Sequence, residues 1–140
     1  MANTNLGYRI IDADFCAINS LGECTSKKIV IPDEIDGRIV REIESNAFTC
    51  ESQIVEGTIP NTVIAIGNTA FYNCKNLKKV VIPEETYRVG EHAFGFCTSL
   101  TSIVLGRIGQ LDWFSHDVFY GCDKIKNIEI ANGNTNGDRP

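Results

Sequence analysis

Residues 70–83 read Ala70-Phe71-Tyr72-Asn73-Cys74-Lys75-Asn76-Leu77-Lys78-Lys79-Val80-Val81-Ile82-Pro83, and the chain restates this pattern on both sides at a nearly fixed interval. Ala93-Phe94-Gly95-Phe96-Cys97 repeats its opening, while Ala47-Phe48 and Val118-Phe119-Tyr120-Gly121-Cys122 repeat it with variation. The four phenylalanines stand 23, 23 and 25 residues apart. Self-similarity at a fixed short period marks a solenoid: one coil cannot bury its apolar side alone, and stacked neighbours bury it together.

The register of the repeat identifies its inward positions. Ile29-Val30-Ile31, Gly57-Thr58-Ile59, Val80-Val81-Ile82, Ile103-Val104-Leu105 and Ile128-Glu129-Ile130 occupy one slot and read as short strands of a parallel sheet. The two-residue period of a strand turns the first and third residue of each toward the core and the middle one away. Pro32, Pro60 and Pro83 follow three of them and, lacking an N–H, suit the end of a ladder. Five residues before each phenylalanine stand Ile43, Ile66, Val89 and Phe114; eight before stand Val40, Val63, Thr86 and Leu111; six after stand Ile54, Leu77, Leu100 and Ile125. Ala70, Phe71 and Cys74 have the spacing of one face of a short helical turn.

Length varies in only one half of the repeat. From each phenylalanine to the last core residue of the next strand is always 11 residues, whereas from the strand's end to the next core residue the gap is 12, 7, 7 and 9. Insertions therefore collect on one edge, just after the sheet, where solenoids often bind. Before the repeats, Tyr8, Ile10, Cys16 and Ile18 alternate around Asp12-Ala13-Asp14, which predicts a hairpin shielding the first coil. The expected organisation is a cap hairpin over 1–25, leucine-rich repeats with about five strands over 26–130, and a disordered polar tail over 131–140.

Ala-Phe-x-x-Cys followed by Leu-x-x-Val-x-Ile-Pro, as at Ala70 to Pro83, resembles the BspA-like (treponemal-type) leucine-rich repeats over about residues 26 to 130. Ile31-Pro32-Asp33-Glu34-Ile35-Asp36-Gly37 with Val40 and Ile43 looks like that family's usual first repeat, and the Tyr8 hairpin like its cap. The resemblance implies a leucine-rich-repeat solenoid: a right-handed coil with a short-stranded parallel concave sheet, short helical turns and an N-terminal hairpin cap. It also implies a cell-surface adhesin or host-interaction role. The chain departs from the pattern at Glu51, which fills the cysteine slot with Cys50 one residue early, at Gly57, at Leu105-Gly106, and at Ser115, which replaces the turn glycine of Gly67 and Gly90.

At 140 residues the chain suffices for one domain with a true core. Its net charge of −5 argues against nucleic acid, whose backbone calls for a clustered basic surface. No stretch approaches transmembrane length, so membrane insertion is not expected. The first twenty residues show no signal-peptide pattern: the chain reads as cytoplasmic as given, or as surface-bound or secreted if cut from a longer parent. Of six cysteines, Cys74, Cys97 and Cys122 each lie three residues after a phenylalanine. Repetition explains that register as buried packing thiols; disulfide or metal use are the alternatives. His92 and His116 share no offset and read as surface residues.

No phosphate loop, nucleophile elbow or metalloprotease motif is present, and adjacent acids such as Asp33-Glu34 and Glu84-Glu85 read as solvated turns. The expectation is a non-enzymatic protein-binding module without cofactor or metal. Its candidate contact residues are the outward row Val30, Thr58, Val81 and Val104, the flanking row Lys28, Glu56, Lys79 and Ser102, and Trp113. Branched residues also suit strands wherever they face, so the row has a purely structural reading. Trp113 lies in a slot the register marks as outward and is either an exposed anchor or an indole laid over the neighbouring coil, against Arg88; the latter is favoured because lone exposed aromatics are ordinary. The alternative function is a structural segment that self-associates or extends an array through its C-terminal coil.

Overall fold

The computed structural model describes residue 2 and residues 5–131, and the polar tail expected over 131–140 lies, apart from Ala131, outside the described residues. Its strands are β1 (Gly7–Ile10), β2 (Phe15–Ser20), β3 (Lys28–Val30), β4 (Glu34–Ile35), β5 (Arg38–Ile43), β6 (Glu56–Thr58), β7 (Ala65–Ile66), β8 (Lys79–Ile82), β9 (Arg88–Val89), β10 (Ser102–Leu105) and β11 (Asn127–Ile130). They wind into a solenoid. β3, β6, β8, β10 and β11 form a five-stranded parallel sheet in chain order. The rows Ile29/Gly57/Val80/Ile103/Ile128 and Val30/Thr58/Val81/Val104/Glu129 pair as the sequence spacing requires.

A second sheet, absent from the sequence reading, runs β1-β2-β5-β7-β9 with β4 paired to β5. Three of the four positions five before a phenylalanine lie in it: Ile43, Ile66 and Val89 are paired in register from coil to coil, while Phe114 follows the lengthened loop outside any strand. Two residues per strand are too few to show an alternating pattern, so the sequence showed an inward position without the sheet around it. The expected N-terminal hairpin is β1 against β2, and β2 then pairs in parallel with β5, which joins the hairpin to the repeats. Asp12 builds its turn by accepting hydrogen bonds from the Asp14 and Phe15 N–H groups at 2.8 and 3.0 Å. The longest of the edge insertions, after β3, is largely a second hairpin, β4 against β5. Asp36 and Gly37 both have positive φ there, the conformation a two-residue hairpin turn demands.

The expected short helical turns are instead successive tight turns. Ala70 N–H reaches Gly67 O and Cys74 N–H reaches Phe71 O, three residues back in each case. Left-handed residues interrupt any helix: Asn46, Thr69 and His92 form one column, and Cys50, Asn73, Phe96 and Gly121 another. These kinks aim backbone N–H groups at the next coil. Phe48, Phe71 and Phe94 donate to Ala70, Ala93 and Val118 O at 2.7–2.9 Å, and Cys50, Asn73 and Phe96 donate to Tyr72, Gly95 and Tyr120 O at 2.7–2.8 Å. The turn face thus carries its own ladder of hydrogen bonds between coils.

Inside, Phe48, Phe71 and Phe94 are wholly buried, with ring centroids 5.0 and 4.9 Å apart, and Phe119 continues the column at 5.5 Å. All six cysteines are free. The repeat thiols do more than fill space: Cys74 Sγ donates to Phe48 O at 3.1 Å, Cys97 Sγ to Phe71 O at 3.2 Å and Cys122 Sγ to Phe94 O at 2.9 Å. Hydrogen bonding with Cys122 and Cys74 on either side, together with burial, pushes the Cys97 thiol up and keeps it protonated. Gly67 and Gly90 open the tight turns, accepting from Ala70 and Ala93 N–H, but neither has positive φ. An added Cβ would fall 2.4 Å from Ser45 N or 2.7 Å from Asn68 N, so glycine is required there by the closeness of the preceding coil.

Because Phe71 stacks on both sides, its truncation opens the middle of the column. Phe71→Ala is expected to cost about 3–5 kcal/mol; chemical denaturation of the two proteins measures it, and an unchanged midpoint would contradict the packing.

Candidate protein-binding surface

The parallel sheet turns one residue in two outward. Val30, Thr58 and Val81 are half-buried in a row, but Val104, in the same row, is 8% exposed and offers little to a partner. In the flanking row Lys28 Nζ lies 4.0 Å from Glu56 Oε1, whereas Lys79 makes no ion pair among the described residues. The expected run of alternating, mutually supporting charges therefore reduces to one exposed pair, which contributes little to stability. Ser102 completes the row and is half-buried.

The row opens into a groove at the strand ends. A cavity of about 610 Å³ is lined by Thr58, Pro60, Val81, Pro83, Glu84 and Gly106 among others. A second, of about 390 Å³, shares Thr58 and Pro60 with it and continues along Val30 and Pro32. The prolines that end the ladders thus also line this groove.

Trp113 is not laid against Arg88. It is 45% exposed, and the cation above its ring is Arg107, 5.0 Å from the centroid, not Arg88, which lies beside Tyr87. The physical reason is local. The lengthened coil forms a 3₁₀ helix, Gln110–Trp113, after Gly109 at φ 83°, and that extra turn shifts the phase of the repeat. Leu111, expected to face inward, is 36% exposed, and Gln110 takes the inward place with no exposure at all. A buried amide needs partners: Gln110 Nε2 donates to Pro83 O at 2.7 Å and Thr86 O at 2.8 Å, while its Oε1 accepts from Gly106 N at 3.2 Å.

An exposed aromatic group on the turn face escaped the sequence reading. Tyr72, Phe96, Tyr120 and His92 form a closed circuit of edge-to-face contacts with centroids 5.5–6.3 Å apart. His92 Nε2 also lies 3.4 Å from Asp117 Oδ2, so it is a paired residue, not a free surface histidine. Tyr72 and Tyr120 share one slot of the repeat, a signal that was available once the register was known. Among the described residues no three His, Cys, Asp or Glu side chains are grouped to hold a metal ion, and no helix is long and apolar enough to cross a membrane.

Residues 41–138 match the sequence model of the BspA type leucine rich repeat region, in six copies. The chain belongs to the BspA-type leucine-rich repeat family. It is similar in structure to a leucine-rich repeat protein of Treponema pallidum, with a TM-score of 0.71 and 26% identity over 92% of this chain and 64% of that one. A leucine-rich repeat protein of Bacteroides capillosus has the same fold, with a TM-score of 0.73 and 23% identity over 91% of this chain and 96% of that one. A leucine-rich cell surface protein of Faecalibacterium prausnitzii follows at TM-score 0.66 and 21% identity, over 95% of this chain and 43% of that one. The chain thus spans just under two thirds of the treponemal protein. No curated relative matches the chain. Repeats of this family serve as protein-interaction modules in general and are typically non-enzymatic scaffolds.

Within this BspA-type solenoid the Gln110 coil is the main local departure, and Gln110 ties it to the coil before. Gln110→Leu keeps the volume but leaves Thr86 O without its partner, at a cost of about 1–3 kcal/mol. Trp113, the sole tryptophan, reports on the same loop. The expected outcome is a lower melting temperature with altered indole emission; an unchanged melt would mean the amide bonds contribute nothing.

Proposed function

We propose that this BspA-type chain is a non-enzymatic binding module that engages a partner protein on the outward face of the five-stranded sheet and the adjoining edge, in adhesion or host contact. The observation that carries this reading is the half-buried row Val30, Thr58 and Val81 opening into a groove at the strand ends. Such a stripe supplies apolar area without side-chain rearrangement, while Lys28, Glu56 and Lys79 beside it supply orientation. Ser102 and Val104 lie at the margin of the contact, and Trp113 over the edge loop adds an exposed aromatic of the kind enriched in binding hot spots. The Faecalibacterium protein of the same fold is described as a cell surface protein, the setting that such contact would need.

Thr58→Asp combined with Val81→Asp tests the stripe, since both residues face outward and a charge there leaves the core intact. Loss of roughly 2 kcal/mol or more in affinity for a partner captured by the parent chain is expected, with the chain still folded although its melting temperature falls, because the two carboxylates sit opposite each other in the ladder. Equal capture by both proteins would move the site to Asp33–Arg41 and Arg107–Trp113.

A second reading rests on the last coil. Ile128 is 51% exposed although its row faces the core in every earlier coil, and among the described residues no strand pairs with the outer edge of β11. Pairing of that edge with another copy would bury both. Sedimentation velocity over a concentration series is expected to show association on this reading; a single monomeric species throughout leaves external partners only.

A further inference from the structure

Two neighbouring coils build a pocket of about 350 Å³ on the turn face, lined by Tyr72, Asn73, Lys75, Phe96 and Thr98. The repeat explains its layout. Asn73 and Phe96 are left-handed residues in one slot of successive coils, and Lys75 and Thr98 share the slot two positions later. Gly95 stands in the slot of Tyr72, and an added Cβ there would meet Tyr72 Cδ1 at 3.0 Å, so its absence lets the tyrosine ring lie over the next coil. Tyr72 and Phe96 then stand 5.7 Å apart at 84°, as two walls of a corner. None of the lining residues belongs to a strand, so the pocket is separate from the parallel sheet.

Two observations point to a ligand. Phe96 occupies the left-handed slot that the ladder between coils sets, yet it stays 39% exposed, so a bulky apolar ring is presented to water there. The polar groups around it are also uncommitted. Asn73 uses its amide nitrogen on Cys50 Sγ at 3.5 Å and retains its carbonyl acceptor, Thr98 is exposed, and the exposed Lys75 has no ion-pair partner among the described residues.

The charge selects among the ligands that aromatic walls accept. A quaternary ammonium group would be repelled by Lys75, and a proline-rich segment would use the rings and leave the ammonium idle. A sugar presents a C–H face to an aromatic ring and hydroxyls to the Asn73 amide and Thr98. A carboxylate on that sugar would accept a charge-assisted hydrogen bond from Lys75. We propose that this pocket binds a carboxylated sugar residue of a glycan, of the uronic or sialic acid type. Its volume lies in the range of small-ligand sites.

The test is a titration of the full chain with the methyl glycosides of glucuronic acid and sialic acid, with methyl glucoside as the neutral control, read from the backbone amide resonances of Asn73 and Thr98. The acidic sugars are expected to shift both resonances and the neutral one to shift them far less. Lys75→Gln, an exposed change that leaves the rings in place, should weaken the acidic sugars roughly tenfold or more and leave the neutral control unaltered. Thr58→Asp with Val81→Asp should leave the titration unaffected, so failure of the sheet reading and failure of this one are told apart. Equal shifts by neutral and acidic sugars, no shift by any sugar, or shifts produced by a polyproline peptide alone would each overturn the proposal.

Discussion

Each coil of this protein buries its phenylalanine against the neighbouring coils and their rings. Phe48, Phe71 and Phe94 have no exposure because each ring faces another at about one coil spacing. The other inward columns, such as Ile43/Ile66/Val89 and Ile54/Leu77/Leu100, obey the same rule. The consequence appears where stacking stops: Phe119, Cys122, Ile125 and Ile130 are only partly buried, and Ile128 is half exposed. Stability in such an array lies as much between coils as within them.

Close stacking also dictates the backbone. Coils at sheet spacing can satisfy their peptide groups only by pairing with the next coil, and a helix would spend those groups internally. The left-handed columns turn the chain so that Phe48, Phe71 and Phe94 donate outward along the solenoid axis. The thiols of Cys74, Cys97 and Cys122 reach the phenylalanine carbonyls of the preceding coil. Cysteine suits that slot because it is at once a small apolar group and a weak donor.

Much of this was legible in the sequence because inward residues recur. The five-strand register, the phenylalanine column and the N-terminal hairpin all follow from counting. What escaped has physical reasons. A two-residue strand such as β7 or β9 is too short to alternate. A left-handed turn carries no fixed residue type here, since Asn46, Thr69 and His92 share one slot. The spacing that placed Leu111 inward assumed an unbroken coil, and the 3₁₀ turn substituted Gln110. Of the candidate surface, the outward row was predictable from strand alternation, but the cover over Val104 and the exposure of Trp113 depend on neighbours that one coil does not specify. The aromatic circuit was hidden for the same reason: Tyr72, Phe96, His92 and Tyr120 come from three coils and occupy three different slots.

The division between fixed and free positions explains how one scaffold can serve different partners. The half of each repeat from phenylalanine to strand end keeps its length of 11 residues, because a shift of one residue there would turn every inward side chain of the strand outward. The other half can take up a hairpin, as at Asp36-Gly37, or a 3₁₀ turn, as at Gln110, provided the chain returns in register for the next coil. Outward residues of the strands and turns bear neither constraint. Proteins sharing only 21–26% identity with this chain can therefore keep its fold while differing at these positions. The edge insertions, the outward strand row and the turn-face slots can each change without disturbing the aromatic column that holds the coils together.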